Sequence, residues 1–494
     1  MGKSSNSFAI YTATGRILAM LCNFIVPIFL TRILSQTDYG LYSQFILLLG
    51  FTGSIFSFGL QSNLYYFYPP ADDARKKTLL GNTLILMLAL SILAFVFMEV
   101  PVLSSLFIKD ELLLQYIGIV GICVLLNVPT YILFPLFVIR KDKKTSVFYP
   151  SIEVFIKVVF TVVLALIYNS IHAIFIGLLV VQVLLCIFTL LYTFTPLRKT
   201  SASWYDWKLM KEQLKYAIPF GLSVVLFTLF RQFDKVICIS YISPADYAIY
   251  SLAFYGIPGI NQIYDSVSEV NLLNMANSYR EGDKKETLAL YQSFCSKLLS
   301  FSAPLILIVF LFANEIFGLL FTLEYLGAVP FFRIYIFSFL VGALGAGTVI
   351  RASGKTKLTL RAYLYSLIIY LPFSYLSIKH YGVWGAITTA MLGIILPKVF
   401  QIAFEKNILS VKLKYYMPWR SFAVILLISL LVIMPVAISH HFCHFNVWLA
   451  CGLSVVYLVV VYYIELKKGL FLIDYESFKN VQNIITKRYR HGKG

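Results

Sequence analysis

The sequence predicts an all-α polytopic membrane protein with about fourteen transmembrane helices: two six-helix lobes in a parallel pseudo-two-fold repeat, followed by two C-terminal helices. Three observations carry this expectation. The 494-residue chain is 59% hydrophobic and only 13% charged, about half the charged fraction of soluble domains, and its mean hydropathy is +0.81. Apolar runs of about 20 residues, long enough to cross hydrocarbon as helix, recur along almost the whole length. A nine-residue pattern, S-x-x-D-Y-x-x-Y-S, occurs twice, at 35–43 and 243–251, after the first and the seventh apolar runs. Duplication of a six-helix unit in a membrane protein points towards a transporter.

The expected spans are 11–33, 41–66, 79–99, 115–139, 147–168, 172–195, 216–241, 247–269, 291–313, 328–350, 360–378, 383–403, 420–438 and 446–465. Prolines fall inside several, among them Pro27, Pro129, Pro135, Pro258, Pro304 and Pro372. Bundles tolerate such breaks where neighbouring helices or cavity water satisfy the freed carbonyls. The spans group into three regions: 1–200 with spans 1–6, 201–410 with spans 7–12, and 411–494 with spans 13–14 and a basic tail. No soluble catalytic domain is left over. No cleavable signal peptide is expected, because residues 1–7 lead straight into an apolar run. Six of the seven cysteines (Cys22, Cys123, Cys186, Cys238, Cys295 and Cys451) fall inside apolar runs, so they read as small apolar residues and imply no disulfide framework.

Loop charges orient the chain. Basic clusters follow the even-numbered spans: Arg75-Lys76-Lys77, Arg140-Lys141, Lys143-Lys144, the linker 196–215, Arg280 with Lys284 and Lys285, Arg351 to Arg361, Lys406 to Arg420, and the tail. Loops after odd-numbered spans clearly carry only Lys109 and Lys379. The positive-inside rule then places both termini in the cytoplasm. The formal charge of +18 is chiefly this topology signal. Its expected neighbours are anionic membrane lipids, and nucleic acid is not an expected partner.

The repeated pattern is a helix-start signature. Ser35 and Ser243 are placed to cap free amides, Asp38 and Asp246 to reach back, and Pro244 sits at a first helical position, where its missing N–H costs nothing. A second reading, in which the two aspartates are coupling-ion ligands, stays open.

Ionisable groups deep in a span cost about 2.5–3.5 kcal/mol each and tend to face a cavity or a partner. Arg32, Lys297 and Lys398 lie near span ends and can snorkel. Arg16, Lys157, Arg231, Lys235 and Arg333 lie deeper, with Glu153 and Asp234 as the deep acids. Spacing groups them into polar stripes: Thr12, Arg16 and Asn23; Tyr149, Glu153, Lys157 and Thr161; Thr228, Arg231 and Asp234 with Lys235. Internal neutralisation is one reading, pairing Glu153 with Lys157 and Asp234 with Arg231. The other is a net-positive cavity suited to anionic substrates such as phosphates.

Weaker signals exclude more than they assign. His440-His441-Phe442-Cys443-His444 has no carboxylate nearby in sequence, and no metal site is expected. No phosphate-binding G-x-x-x-x-G-K-[ST] segment occurs, which leaves ATP hydrolysis unsupported. Tyr65-Tyr66-Phe67-Tyr68 reads as an interfacial aromatic belt, with sugar stacking as the alternative.

Pro27, Thr31-Arg32-Ile33-Leu34 and Asp38-Tyr39-Gly40-Leu41-Tyr42 resemble the first-span signature of bacterial polysaccharide transporters. These are the Wzx-type flippases of the multidrug/oligosaccharidyl-lipid/polysaccharide exporter superfamily. The stretch from Leu214 through Pro219 to Asp234-Lys235, then Tyr247, Tyr250 and Ser251, is similar to the same family's second half. Ala248 departs from the pattern, standing where the first half has Gly40.

The resemblance implies a multi-pass protein of the cytoplasmic (inner) membrane. It would flip an undecaprenyl-diphosphate-linked oligosaccharide to the outer leaflet by alternating access, for O-antigen or capsule assembly. It implies no enzyme and no cofactor beyond a coupling ion, H+ or Na+. Expected partners are the lipid-linked oligosaccharide and the glycan polymerase and chain-length machinery. On that reading Arg16, Lys157, Arg231, Lys235 and Arg333 neutralise the diphosphate or acidic sugars, and Asp234 or Glu153 carries the exchanged ion. Two alternatives remain: a drug or metabolite exporter of the same fold, and a membrane glycan polymerase or ligase, which usually carries a larger outer loop.

Overall fold

The computed structural model describes residues 20, 23–101, 108, 110–197, 200–443 and 447–470, and among these every regular element is a helix. Ten helical segments are long and apolar enough to cross a membrane. One of them, Lys357–Ile408, is two helices that meet at Gly382, whose φ of 54° and ψ of −126° only glycine takes readily. Ser377 Oγ donates to the Gly385 carbonyl (3.4 Å) across that bend. The chain is a multi-pass membrane protein of the all-α class. The first expected span lies largely outside the described residues, apart from the apolar helix α1, Asn23–Ile33.

The described residues fall into two compact units, one within Met1–Ser251 and Ser374–Ala386, the other within Leu252–Phe373 and Ile387–Gly494. In the first unit α2 (Gln36–Ser57), α3 (Asn63–Phe67), α4 (Asp73–Glu99), α5 (Ile117–Thr130), α6 (Leu133–Ile139), α7 (Lys143–Tyr168), α8 (Ile171–Phe194), α9 (Trp207–Tyr241) and most of α10 (Pro244–Ala253) follow in order. α5 packs between α4, α8 and α2, and α9 lies on α2 and α4. The unit thus follows contacts rather than the sequence repeat, since α9 and α10 open the second repeat.

Several expected spans are broken, and two of the breaks lie beside prolines. The span at 115–139 divides at Tyr131–Ile132 into α5 and α6, each holding a proline (Pro129 and Pro135). The span at 247–269 divides between α10 and α11 (Ile260–Arg280), where Gly256 (φ 65°), Pro258 and Gly259 (φ 84°) interrupt the hydrogen-bond ladder. A proline deletes one amide and left-handed glycines redirect the chain, so these breaks have a local cause.

The linker before α9 is no free tether. Lys77 Nζ donates to the Thr200 carbonyl (2.7 Å) and lies 4.4 Å from the Trp204 ring centre. Thr78 donates to the Ser203 carbonyl (2.7 Å), and Asn82 exchanges two hydrogen bonds with the backbone of Asp206. Asp206 in turn caps α9 through Leu209 N (2.6 Å). One turn further, the buried Gln213 amide donates to Asn63, Thr83 and the Leu79 carbonyl. On α7 the cap is Asp142, bonded by the Thr145 amide and hydroxyl and by Tyr192. Burial raises its carboxyl pKa, but these bonds outweigh burial and hold it below the ordinary value.

The second unit is built on α12 (Lys284–Leu311), which contacts α11, α14 (Val329–Ala343), α17 (Trp419–Cys443) and α18 (Val447–Lys467). Tyr291, Phe294, Leu298 and Tyr416 form its larger core. Ile308 and Phe312 meet Ile428, Tyr457 and Val461 of the last two helices. Lipid tails supply no hydrophobic drive between helices, so close packing and interhelical hydrogen bonds hold them. Examples are Tyr457 to the Ser429 carbonyl (3.1 Å) and Tyr462 to the Phe301 carbonyl (2.8 Å).

At Gly81 an added Cβ would stand 1.9 Å from the Trp204 carbonyl oxygen, whereas at Gly50 it would meet nothing within 4 Å. Gly81→Ala should therefore lower stability by about 1–3 kcal/mol through overpacking against backbone, read as an earlier melt of the purified protein. Gly50→Ala should leave the melt unchanged or raise it slightly.

Candidate functional site

The repeated pattern folds as two matching caps. Ser35 Oγ accepts from Asp38 N (3.1 Å) and donates to Asp38 Oδ2 (2.7 Å); Ser243 and Asp246 repeat this at 3.1 and 2.8 Å. Each aspartate takes the serine hydroxyl proton instead of reaching the serine amide, a variant of the capping box.

The two copies also meet each other. A Cβ on Gly40 would stand 1.8 Å from the Pro244 carbonyl oxygen, so only glycine allows this approach. Ser251 Oγ lies 3.4 Å from Ser43 Oγ. Ala248, the counterpart of Gly40, is fully buried with its methyl group accommodated. Tyr39, Tyr247 and Tyr250 are buried beside this contact.

The second tyrosine of the second copy reaches a polar stripe: Tyr250 OH donates to Asp234 Oδ2 (2.7 Å). A bond between positions 234 and 250, on separate helices, leaves no local spacing signal in the sequence.

The sequence-selected charges are placed as follows. Arg16 and Thr12 lie outside the described residues. Lys157 Nζ pairs with Glu153 Oε1 at 2.6 Å, with side chains 30% and 27% exposed, so the pair is shielded yet reachable. Asp234 is 2% exposed and is held by Lys235 (3.3 Å) as well as Tyr250. Its partners are thus Lys235 and Tyr250, and Arg231 instead lies on an exposed face with its guanidinium 5.5 Å from the Phe227 ring centre. Arg333, in the second unit, donates from Nε to the Phe310 carbonyl (3.1 Å) and covers the Phe310 ring at 5.2 Å.

Glu153 is also part of the wall of a cavity of about 480 Å³ within the first unit. Tyr65 of the aromatic run faces the same cavity, while Tyr66 stacks on Tyr216 with ring centres 5.1 Å apart.

Three further carboxylates were silent in the sequence. Glu405 is fully buried and accepts from Val349 N (2.7 Å), Ile350 N (3.2 Å) and Tyr416 OH (3.0 Å), which makes it the anchor of the short helix Thr348–Ala352. Glu465 on α18 is fully buried, and neither oxygen has a hydrogen-bond partner. Glu315 sits 3.2 Å from His440, so a carboxylate distant in sequence does reach the histidine cluster. Among the described residues no group of three or more His, Cys, Asp or Glu side chains could hold a metal ion.

These features define an all-helical membrane protein with broken spans and paired charges inside the membrane. The chain belongs to the polysaccharide biosynthesis protein family, whose model matches residues 29–330. The resemblance to bacterial polysaccharide transporters drawn from residues 27–42 and 214–251 therefore holds. No curated protein sequence matches the chain.

Among solved structures the fold is similar to the lipid II flippase MurJ in an inward closed conformation. The TM-score is 0.70 at 16% identity, over 93% of this chain and 99% of that one. An inward-facing multidrug resistance MATE transporter of the MOP superfamily matches with TM-score 0.59 at 13% identity, over 79% of this chain and 94% of that one. The MATE multidrug transporter DinF-BH matches with TM-score 0.53 at 15% identity, over 83% of this chain and 97% of that one.

Tyr250→Phe removes a hydrogen bond to a buried carboxylate and should cost about 1–3 kcal/mol, read from thermal melts of the purified protein. In a double-mutant cycle with Asp234→Asn the two losses should be less than additive; full additivity would show that the bond contributes nothing.

Proposed function

We propose that this protein is a flippase that moves an undecaprenyl-diphosphate-linked oligosaccharide from the cytoplasmic to the outer leaflet for surface polysaccharide assembly. The observation that carries this reading is the reach of the fold likeness. The share of the chain left unmatched by the lipid II flippase is shorter than the stretch 419–467, so that fold has counterparts for at least part of the last two helices. The multidrug transporters match less of the chain, 79% and 83%. A fold that includes the added pair favours a lipid-carrying transporter over a drug or metabolite exporter. Family membership in polysaccharide biosynthesis supports the same substrate class.

In this reading the lobes 1–200 and 201–410 rock in alternating access with 411–494 appended, both termini are cytoplasmic, and the membrane is the inner one. Lys157 releases Glu153 when a diphosphate arrives, since a carboxylate beside a cation exchanges partners once a stronger anion competes. Arg16, Arg231, Lys235 and Arg333 add positive charge along the path, and Asp234 or Glu153 takes up H+ or Na+. Membrane lipids surround the chain, and the glycan polymerase and chain-length machinery receive the product. The chain itself makes and breaks no bond.

Depletion of the protein should cause complete lipid-linked repeat units to accumulate in the cytoplasmic leaflet, seen by mass spectrometry and protected from a membrane-impermeant reagent. Absence of any lipid-linked species would favour an exporter, and truncated or unligated species a glycan ligase or polymerase. Lys157→Ala and Arg231→Ala, each at normal expression, should reduce glycan export about ten-fold, the loss of one charge-assisted contact. Full export in both would contradict the assignment of these cations.

A further inference from the structure

The cavity in the first unit has no counterpart in the roles assigned above. It is an open cleft lined by the turn before α3 and by α5, α6 and α7, with a volume of about 480 Å³, within the ~300–1,000 Å³ typical of small-molecule sites. Its existence follows from two backbone features. Phe58 and Gly59 are both left-handed (φ 50° and 60°), which ends α2 and turns 60–67 back over the bundle. The turn at Tyr131–Ile132 separates α5 from α6, and both helices contribute to the cavity wall.

The lining combines two kinds of surface. Tyr65, Tyr131 and Tyr149 contribute aromatic rings, and Tyr149 is held in place by stacking on Phe188 with ring centres 5.3 Å apart. Gln61, Asn127 and Glu153 contribute amides and a carboxylate. The Gln61 carbonyl oxygen is buried with no hydrogen-bond partner, an arrangement that costs about 1–3 kcal/mol unless a partner arrives. Its terminal torsion is broad, so the amide can turn into the cavity. Asn127 Nδ2 is 3.4 Å from Gln182 Oε1, a long contact that competes weakly with a better acceptor.

We propose that this cavity is a carbohydrate subsite that seats one or two sugar residues of the lipid-linked substrate; this rests on the flippase reading above. A pyranose ring presents a C–H face that packs on an aromatic ring and a rim of hydroxyls that need amide and carboxylate partners. An acyl chain in the same place leaves the buried Gln61 carbonyl oxygen unsatisfied. A drug cation finds its one carboxylate neutralised by Lys157 at 2.6 Å. Lys157 follows Glu153 by one helical turn, ~6 Å along the axis, so a sugar seated against Glu153 places its diphosphate linkage within reach of the lysine. The tyrosine run at 65–68 then supplies one sugar-facing ring, Tyr65, and one packing ring, Tyr66.

The test uses the full-length protein in nanodiscs and two probes: undecaprenyl diphosphate without sugar, and the lipid-linked repeat unit extracted from cells depleted of this protein. Tyr149→Ala and Gln61→Ala should each raise the Kd for the lipid-linked repeat unit about ten-fold and leave the Kd for undecaprenyl diphosphate within about two-fold. Lys157→Ala should weaken both. Should Tyr149→Ala melt early, Tyr149→Leu keeps bulk without a ring face and is expected to show the same selective loss. Unchanged binding of both probes, or equal loss of both, overturns the subsite while the flippase reading stands. A wild-type protein that binds neither probe overturns the flippase reading and the subsite with it.

Discussion

A polar group in hydrocarbon must find its partner inside the protein, and this constraint organises the whole chain. It explains why the described regular elements are all helices. At the linker, Lys77, Thr78 and Asn82 likewise bond the backbone carbonyls of the chain entering α9. Where the constraint is locally unmet, as at Gln61 Oε1 and at both oxygens of Glu465, the structure holds unused binding capacity.

The duplicated pattern shows how one sequence device serves several physical ends. Its serine and aspartate close the first turns of α2 and α10. Its glycine in the first copy lets the second copy approach at Pro244, and the second tyrosine of the second copy bonds to Asp234 on α9. Stability and placement of charge are thereby coupled. Asp234 is fixed by a tyrosine of the motif.

Much of the fold was legible because it depends on local signals. Hydrophobic run length marks the spans and Ser35-to-Asp38 spacing marks a helix start; of the span prolines, Pro129 and Pro258 lie beside breaks, while helices continue through Pro304 and Pro372. The four-residue spacing of Glu153 and Lys157 likewise announces their pairing. What stayed hidden depends on contacts between distant segments. Nothing near Asp234 in sequence shows that Tyr250 rather than Arg231 is its partner, since both lie at helix-compatible or loop-reachable distances. The cavity draws its wall from residues 61 to 153, and its polar members look individually like ordinary span residues. Glu315 meets His440 across more than a hundred positions, and Glu465 shows neither a partner nor a pattern.

The central claim is that the chain carries a lipid-linked glycan across the bilayer. Its most direct test is reconstitution of the purified protein into liposomes with the lipid-linked repeat unit loaded in one leaflet, followed by a sugar-oxidising reagent that cannot cross the membrane. The account predicts protein-dependent loss of sidedness for the glycan, with no transport of a cationic dye. A glycan that stays in its leaflet while the dye moves would contradict it.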